Sequence, residues 1–516
     1  MTLECHARVG ASLLEGNGLF ATRKIDEGEC VVELKRPFIA VLDIPNIGTT
    51  CAQCLRSVTE AEDMDPAPDL NHCSGCRRVK YCSRQCQSQS WKRSHKYECR
   101  IFRSRDPPPL PSLVRCMIQL IVMIKNETIS EEEKRNIDRL TGNAPHLEPS
   151  DTLPVGSAIL SAYDLVRCDP KCADVTIEEV NKSLNMVMTN SFALVHECLD
   201  PLGFALDPLI STANHSCDPN AVVIFNTARP SIRSIRPIAK GEEICWSYID
   251  ANEVRKVRQE QLSNRYRFEC RCPKCTSNDP NETMPQSEVE HKIRRAYVSA
   301  NLEPDPLQAK RKLKAIIRTA QEHKYPITRE PLPDVYQSLL VACSTMEEWR
   351  TSLLIAIKQF FLIDPKLYPQ EFFVTRVVHA WSLFNLFRQV VDRYKEVDDY
   401  EGFQRDWGIA DMVIPNLHLT QFLKKNVLKS HGPGRFANSV QMFASDVVEM
   451  IDTAPPHVQR YIRSDPDDAW GQFERLKHNK IDLSDAAPDL ILDEPSNEEL
   501  WEVTQRSGTS KIDVHE

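Results

Sequence analysis

Cysteine and histidine recur along this 516-residue chain at spacings that suit metal ligation. Cys51-x2-Cys54, Cys73-x2-Cys76, Cys82-x3-Cys86 and His95-x3-Cys99 offer eight ligands in one short stretch, enough for two tetrahedral Zn²⁺. Close pairs matter because two thiolates on one turn clamp an ion while ordering little chain. Cys270, Cys272 and Cys275 add three thiolates where Zn²⁺ usually takes four. Eight further cysteines (Cys5, Cys30, Cys116, Cys168, Cys172, Cys198, Cys245 and Cys343) are scattered and read as core or incidental thiols. Cysteines clustered in this way, with no basic start leading into an apolar segment, predict metal in a reducing compartment rather than disulfides, and no secretion.

A second group could hold a polar ligand. Asn214-His215-Ser216-Cys217-Asp218-Pro219-Asn220 reads as a tight turn before the strand-like run Ala221 to Phe225. An amide and an imidazole there can hydrogen-bond a ligand, and Cys217 can reach a metal. Gly241-Glu242-Glu243-Ile244 follows and leads to Tyr248. Near the N-terminus, Glu15-Gly16-Asn17-Gly18 lies between strand-like segments; by itself it is a hairpin turn.

In order and spacing, the Asn-His-Ser-Cys turn, the Gly-Glu-Glu-Ile…Tyr segment and the Cys-x-Cys-x2-Cys cluster resemble the SET-domain lysine methyltransferases. The eight-ligand stretch, with its Tyr81-Cys82 step and Gln89-Ser90-Trp91 approach to His95, resembles a MYND finger. The chain is thereby identified as a member of the SET–MYND (SMYD-type) family over roughly residues 1 to 276. The resemblance implies methyl transfer from S-adenosylmethionine to a protein lysine. It implies that Tyr248 orients the amine and Phe192 walls the lysine channel. Asn214 and His215 would hold the donor's amino-acid and adenine ends, assisted by Gly16, Asn17, Asn190 and Ser211, with Phe268 near the adenine. It pairs the zinc ligands as Cys51, Cys54, Cys82 and Cys86 for one ion and Cys73, Cys76, His95 and Cys99 for another. Cys217 completes a third site with Cys270, Cys272 and Cys275. A proline-containing peptide is the partner expected at the finger. Where the family often has a basic residue before Gly-Asn-Gly, this sequence has Glu15.

The elements that must position these residues give an α+β chain. The expected order is a SET N-terminal half (1–48), the MYND finger (49–103), a helical insert (104–189), the SET catalytic core (190–250) and a post-SET zinc segment (251–276). An all-α, tetratricopeptide-like C-terminal domain (285–477) and an acidic tail (478–516) complete it. The insert shows helical spacing at Leu113, Met117, Leu120, Ile121 and Ile124, and Thr176-Ile177-Glu178-Glu179 opens a second helix. Strands are expected over Cys30 to Leu34, Val222 to Phe225, Ser231 to Ile235 and Glu243 to Ile249, and a charged helix over 251–269. In the C-terminal domain Trp381, Phe384 and Phe387 form an aromatic stripe read as core.

Composition is that of an ordinary globular protein, 41% hydrophobic and 27% charged. The longest apolar run, Leu113 to Ile124, is broken by Arg115 and Gln119, so no membrane span is expected. The net charge of −9 is uneven: residues 71–103 hold nine Lys or Arg against Glu98, and the tail is acidic. That basic segment admits a nucleic-acid partner, but without a base-reading helix this reading ranks last. A fold does not establish activity, so the alternative is an idle SET scaffold serving as a protein-interaction adaptor. A monomer residing in the cytoplasm, the nucleus or both is expected; Lys424-Lys425 is too short for a localisation run.

Overall fold

The computed structural model describes residues 2–453, apart from 15, 59–66, 106, 141, 143–151, 280–281, 283–286 and 397–412. The chain divides into two compact units. One is Met1–Thr283 with Val427–Ser439; the other is Met284–Asn426 with Val440–Glu516. Glu15, the end of the expected C-terminal domain (454–477) and the acidic tail lie outside the described residues.

The first unit is built on short strands: β1 (Thr2–Cys5), β2 (Ala7–Ala11), β3 (Asn17–Ala21), β4 (Cys30–Leu34), β5 (Ile39–Leu42), β6 (Asn71–His72), β7 (Lys80–Tyr81), β8 (Phe192–Val195), β9 (Pro201–Leu206), β10 (Asn214–His215), β11 (Ala221–Asn226), β12 (Arg229–Ser234) and β13 (Glu243–Trp246). They pair in the orders β1-β4-β12-β11, β10-β13-β3-β2, β5-β9-β8 and β6-β7. The inward side chains of the three larger sheets form one core that includes Leu19, Ile25, Val32, Leu194, Ile232 and Ile244, all fully buried. Each such side chain contributes about 1.5–3 kcal/mol.

Within the second sheet β10 runs parallel to β13, with Asn214 opposite Cys245 and His215 opposite Trp246. β13 in turn pairs antiparallel with β3, Glu243 opposite Phe20 and Ile244 opposite Leu19. Parallel neighbours need a long crossover, and the chain supplies it through β11 and β12. The glycine turn, the Asn-His turn and the Glu-Glu-Ile segment, far apart in sequence, thus lie on adjacent strands. The strand expected to reach Ile249 ends at Trp246, because the next residues bond elsewhere: the Tyr248 N–H goes to His215 and the Ser247 hydroxyl to Ile249 O.

The insert begins with Ser112–Lys125, buried almost all round as its apolar run requires. Its last helix, Ile177–Asn190, starts at a reciprocal capping box between Thr176 and Glu179 and delivers the chain to β8. In the finger, the Ser83 hydroxyl caps the helix Arg84–Ser90 by accepting from the Cys86 N–H, which sets Cys82 and Cys86 either side of a helix start. The charged helix is Arg255–Tyr266, ended by Arg267 in the left-handed conformation.

Described residues of the second unit form helices throughout, including Glu288–Asn301, Pro306–Glu322, Leu332–Thr345, Trp349–Lys358 and Val374–Glu396. Trp381, Phe384 and Phe387 are buried there, as the stripe predicted. No helix among the described residues is long and apolar enough to cross a membrane. Sequence alone assigned residues 427–439 to the C-terminal domain, whereas their contacts place them in the first unit. Arg233 donates to the carbonyls of Leu428 (2.9 Å) and Lys429 (3.2 Å), covering carbonyls at the end of a helix. Asn226 donates to Pro433 O at 2.9 Å, and the buried His431 meets Glu197 O at 3.0 Å.

Candidate active site and metal centres

Three groups of ligand atoms each lie within 4.8 Å of one another: Cys51, Cys54, Cys82 and Cys86; Cys73, Cys76, His95 and Cys99; Cys217, Cys270, Cys272 and Cys275. A tetrahedral zinc–thiolate site has an S···S edge of about 3.8 Å, from its 2.3 Å bonds. The separations match: 3.5 Å for Cys54–Cys82 and Cys82–Cys86, 3.9 Å for Cys73–Cys99, 3.5 Å for Cys217–Cys275, and 3.6 Å from Cys76 Sγ to His95 Nε2. Four thiols this close cannot all ionise without a cation, and Cys270 and Cys272 accordingly drive the Cys217 thiol far up. The donor sets therefore fit three Zn²⁺. They are also braced from behind. The buried Glu98 lies 3.5 Å from His95 Nδ1, accepts from Gln119 at 3.1 Å and lies 3.8 Å from Arg115, which itself donates to Leu42 O in β5. A carboxylate in that place fixes the ring and raises its basicity. At the third cluster, the fully buried Arg258 donates to Cys275 Sγ at 3.4 Å and pairs with Glu282 at 2.8 Å. A cation there offsets the double negative charge that Zn²⁺ with four thiolates would carry.

The third cluster leads directly into the polar turn. His215 Nε2 is 3.2 Å from Cys217 Sγ, while Nδ1 accepts the Tyr248 N–H at 3.0 Å. Burial holds the imidazole neutral, its pKa lowered to about 4. Both ring nitrogens are thus engaged inside the protein, so the side chain does not have a free edge for a ligand; only the backbone of His215 could serve one. Ser216 and Asn220 stitch the rest of the turn to β13: the Ser216 N–H meets Trp246 O at 3.2 Å, and Asn220 Oδ1 accepts from the Cys245 N–H at 2.9 Å.

Tyr248 donates its hydroxyl to Ala213 O at 2.8 Å. Burial first, then neighbouring Tyr266, Cys245 and Glu243, pushes the phenol well above its ordinary value, so it stays protonated at neutral pH. An aromatic wall surrounds it. Trp246 lies 5.1 Å and Tyr266 5.0 Å away by ring centroid, and Phe192 stands 6.0 Å beyond Trp246. Phe268 packs 5.8 Å from His215. Trp246 and Tyr266 are members that motif reading missed. Trp246 shares the period-2 face of Tyr248, and that alternation was the available signal. Its indole Nε1 is buried with no hydrogen-bond partner among the described residues.

On the other side, Asn214 Nδ2 donates to Asn17 O at 3.1 Å and to Glu243 Oε1 at 2.7 Å. Gly16 takes a left-handed φ of +54°, and a Cβ there would meet open space. Gly18 is constrained differently: its Cβ would sit 2.2 Å from Glu243 Oε1. Asn190 and Ser211 meet each other, the Ser211 hydroxyl donating to Asn190 O at 2.7 Å. A half-open polar turn thus abuts an aromatic cluster holding one fixed hydroxyl. Such a place can hold an amino-acid or nucleoside group beside a desolvated amine.

Residues 16–249 match the model of the SET domain. The chain is 31% identical over 265 residues to SET domain and MYND-type zinc finger protein 6 of Schizosaccharomyces pombe, covering 51% of this chain and 50% of that one. It is 29% identical over 277 residues to human histone-lysine N-methyltransferase SMYD3, covering 53% and 62%. Histone-lysine N-methyltransferase ASHR1 of Arabidopsis thaliana is 26% identical over 296 residues, covering 56% and 58%. The match spans between half and about three-fifths of these relatives' own lengths. The SET model thus lies over the strands that carry the Asn-His turn and Tyr248, and the chain is similar to proteins that join a SET domain to a MYND-type zinc finger.

Proposed function

We propose that this protein is an S-adenosylmethionine-dependent protein-lysine N-methyltransferase. The observation that carries the reading is the convergence of Asn214, Tyr248 and an aromatic wall of Phe192, Trp246 and Tyr266 at one place in the SET unit. Relatives named as histone-lysine methyltransferases support it. The donor, when bound, supplies a methyl carbon made electrophilic by a sulfonium. What the chain must supply is alignment and a dry channel.

A lysine amine has a pKa near 10.4 in water. Lined by Phe192, Trp246, Tyr248 and Tyr266, a channel strips water from the ammonium and favours the neutral amine. The Tyr248 hydroxyl is held at one point by Ala213 O, so its oxygen offers a fixed acceptor to orient the amine. It acts as a positioned dipole, since its raised pKa leaves almost no phenolate to serve as a base. Asn214, the backbone of Asn17 and His215, and the Asn190–Ser211 pair would hold the donor's amino-acid and adenine ends, with Phe268 against the ring. Zn²⁺ held by Cys217, Cys270, Cys272 and Cys275 would supply the crosslink that fixes the segment bearing Tyr266 and Phe268. The finger would read proline-containing peptide, and the helical unit would act as a tetratricopeptide-like platform for protein substrate.

The test is calorimetric titration of the zinc-loaded full chain with S-adenosylmethionine, alongside His215→Ala. Saturable binding that the variant loses is expected, because the ring joins Tyr248 to the third cluster. No binding by fully zinc-loaded wild type would sink the reading and leave an idle scaffold.

A further inference from the structure

Glu243 does more than pair strands. Its carboxylate joins the two turns that face the donor side of the site. The Ser12 hydroxyl lies 2.8 Å from Oε1 and 2.9 Å from Oε2, and Asn214 Nδ2 donates to Oε1 at 2.7 Å. Ser12 in turn anchors the glycine turn, its N–H bonding Gly16 O at 3.0 Å and its hydroxyl accepting from the Leu14 N–H at 2.9 Å. Gly18 leaves the carboxylate its space, since any larger residue would place Cβ 2.2 Å from Oε1.

We propose that Glu243 is a positioning residue for the methyl donor, acting through Asn214; this rests on the methyltransferase reading above. Both neighbours of the Asn214 amide nitrogen, Asn17 O and Glu243 Oε1, are pure acceptors. They settle the orientation of the amide, because flipping it would set Oδ1 against two oxygens. Oδ1 is then left without a partner among the described residues, free to accept from a cationic nitrogen. The amino-acid end of S-adenosylmethionine carries an α-ammonium of that kind. The bond from Nδ2 to a carboxylate is charge-assisted and polarises the amide, which makes Oδ1 a better acceptor. The negative charge on Glu243 also favours a cationic ligand nearby.

The test separates positioning from simple bracing by using ligands with and without the amino-acid end. Full-length wild type, Glu243→Ala, Glu243→Gln, Asn214→Ala and the Glu243→Ala/Asn214→Ala pair are titrated calorimetrically with S-adenosylhomocysteine and with 5′-methylthioadenosine. Glu243→Ala is expected to weaken S-adenosylhomocysteine by about tenfold or more, with 5′-methylthioadenosine within about twofold. The double variant should bind no worse than Asn214→Ala, and Glu243→Gln, which keeps an acceptor oxygen, should recover part of the loss. Equal weakening of both ligands in Glu243→Ala and Glu243→Gln would overturn the proposal in favour of a structural strut. Unchanged S-adenosylhomocysteine affinity in Glu243→Ala would overturn it while leaving the methyltransferase reading intact. Wild type that binds neither ligand would overturn both.

Discussion

Tyr248 and Glu98 show two ways in which one side chain governs chemistry it does not itself perform. The Tyr248 hydroxyl has a single donated bond, to Ala213 O, and its ring packs against those of Trp246 and Tyr266. Tyr248→Phe keeps the ring and removes the acceptor. Single-turnover methyl transfer should fall by about 10²-fold, the cost of losing alignment, while S-adenosylmethionine affinity by calorimetry stays within about twofold of wild type. Equal losses in rate and affinity would show that the hydroxyl holds the donor instead. Glu98 is buried between His95, Gln119 and Arg115. Burial resists its charge, but His95 and Arg115 more than offset this and hold its carboxyl below the usual range. Glu98→Ala leaves the buried Arg115 without its counter-charge, a loss of about 3–5 kcal/mol. Denaturant unfolding should register that loss, and zinc release to a chromogenic chelator should quicken.

At the scale of elements, the two glycines of the Gly-Asn-Gly turn answer to different constraints. Gly16 needs its positive φ and has open space; Gly18 has ordinary φ and no space. Gly16→Ala is therefore predicted to cost about 1 kcal/mol. Gly18→Ala should cost about 1–3 kcal/mol from overpacking and also weaken donor binding, because Glu243 must move. Comparing denaturation midpoints with affinities separates the two. A second element-scale prediction concerns pH. His431 ends the helix Val413–His431 and is buried within the first unit, its Nε2–H donated to Glu197 O, with Arg233 and His196 nearby. Burial lowers its pKa to about 4. The unfolded chain therefore takes up a proton near pH 6.5 that the folded chain refuses until pH 4. The neutral ring's contribution is complete above pH 6.5 and is lost progressively as pH falls from there to pH 4, about 3 kcal/mol in all. His431→Gln should flatten that part of the stability–pH curve measured by urea unfolding. An unchanged slope would assign the acid sensitivity elsewhere.

For the whole molecule, metal and fold are one equilibrium. Each cluster draws ligands from separated parts of the chain, the third joining Cys217 to a segment past residue 269. Full occupancy should give three zincs per chain by elemental analysis. Stripping them with a strong chelator should unfold the first unit and abolish donor binding together, since metal-binding energy here is folding energy. Loss of zinc without loss of donor binding would detach the third cluster from the site.

Much of this protein is legible in its residues. The ligand pairs are, because an x2 or x3 spacing fits one turn whatever surrounds it. So are the insert helices, whose apolar periodicity and Thr176–Glu179 box act locally. The partition of eight finger ligands into two sets was not settled by spacing; family resemblance implied it, and the clusters have that grouping. Other features stayed hidden. Glu243 is only the first residue of an expected strand until β3 and β10 flank it. The engaged nitrogens of His215, the approach of Tyr266 to Tyr248, and the adoption of residues 427–439 by the first unit were equally out of reach. Each depends on which distant strands become neighbours and in what register. Local sequence encodes turns, caps and ligand spacings through short-range sterics and hydrogen bonds. The pairing of distant strands is decided only when the whole core is packed.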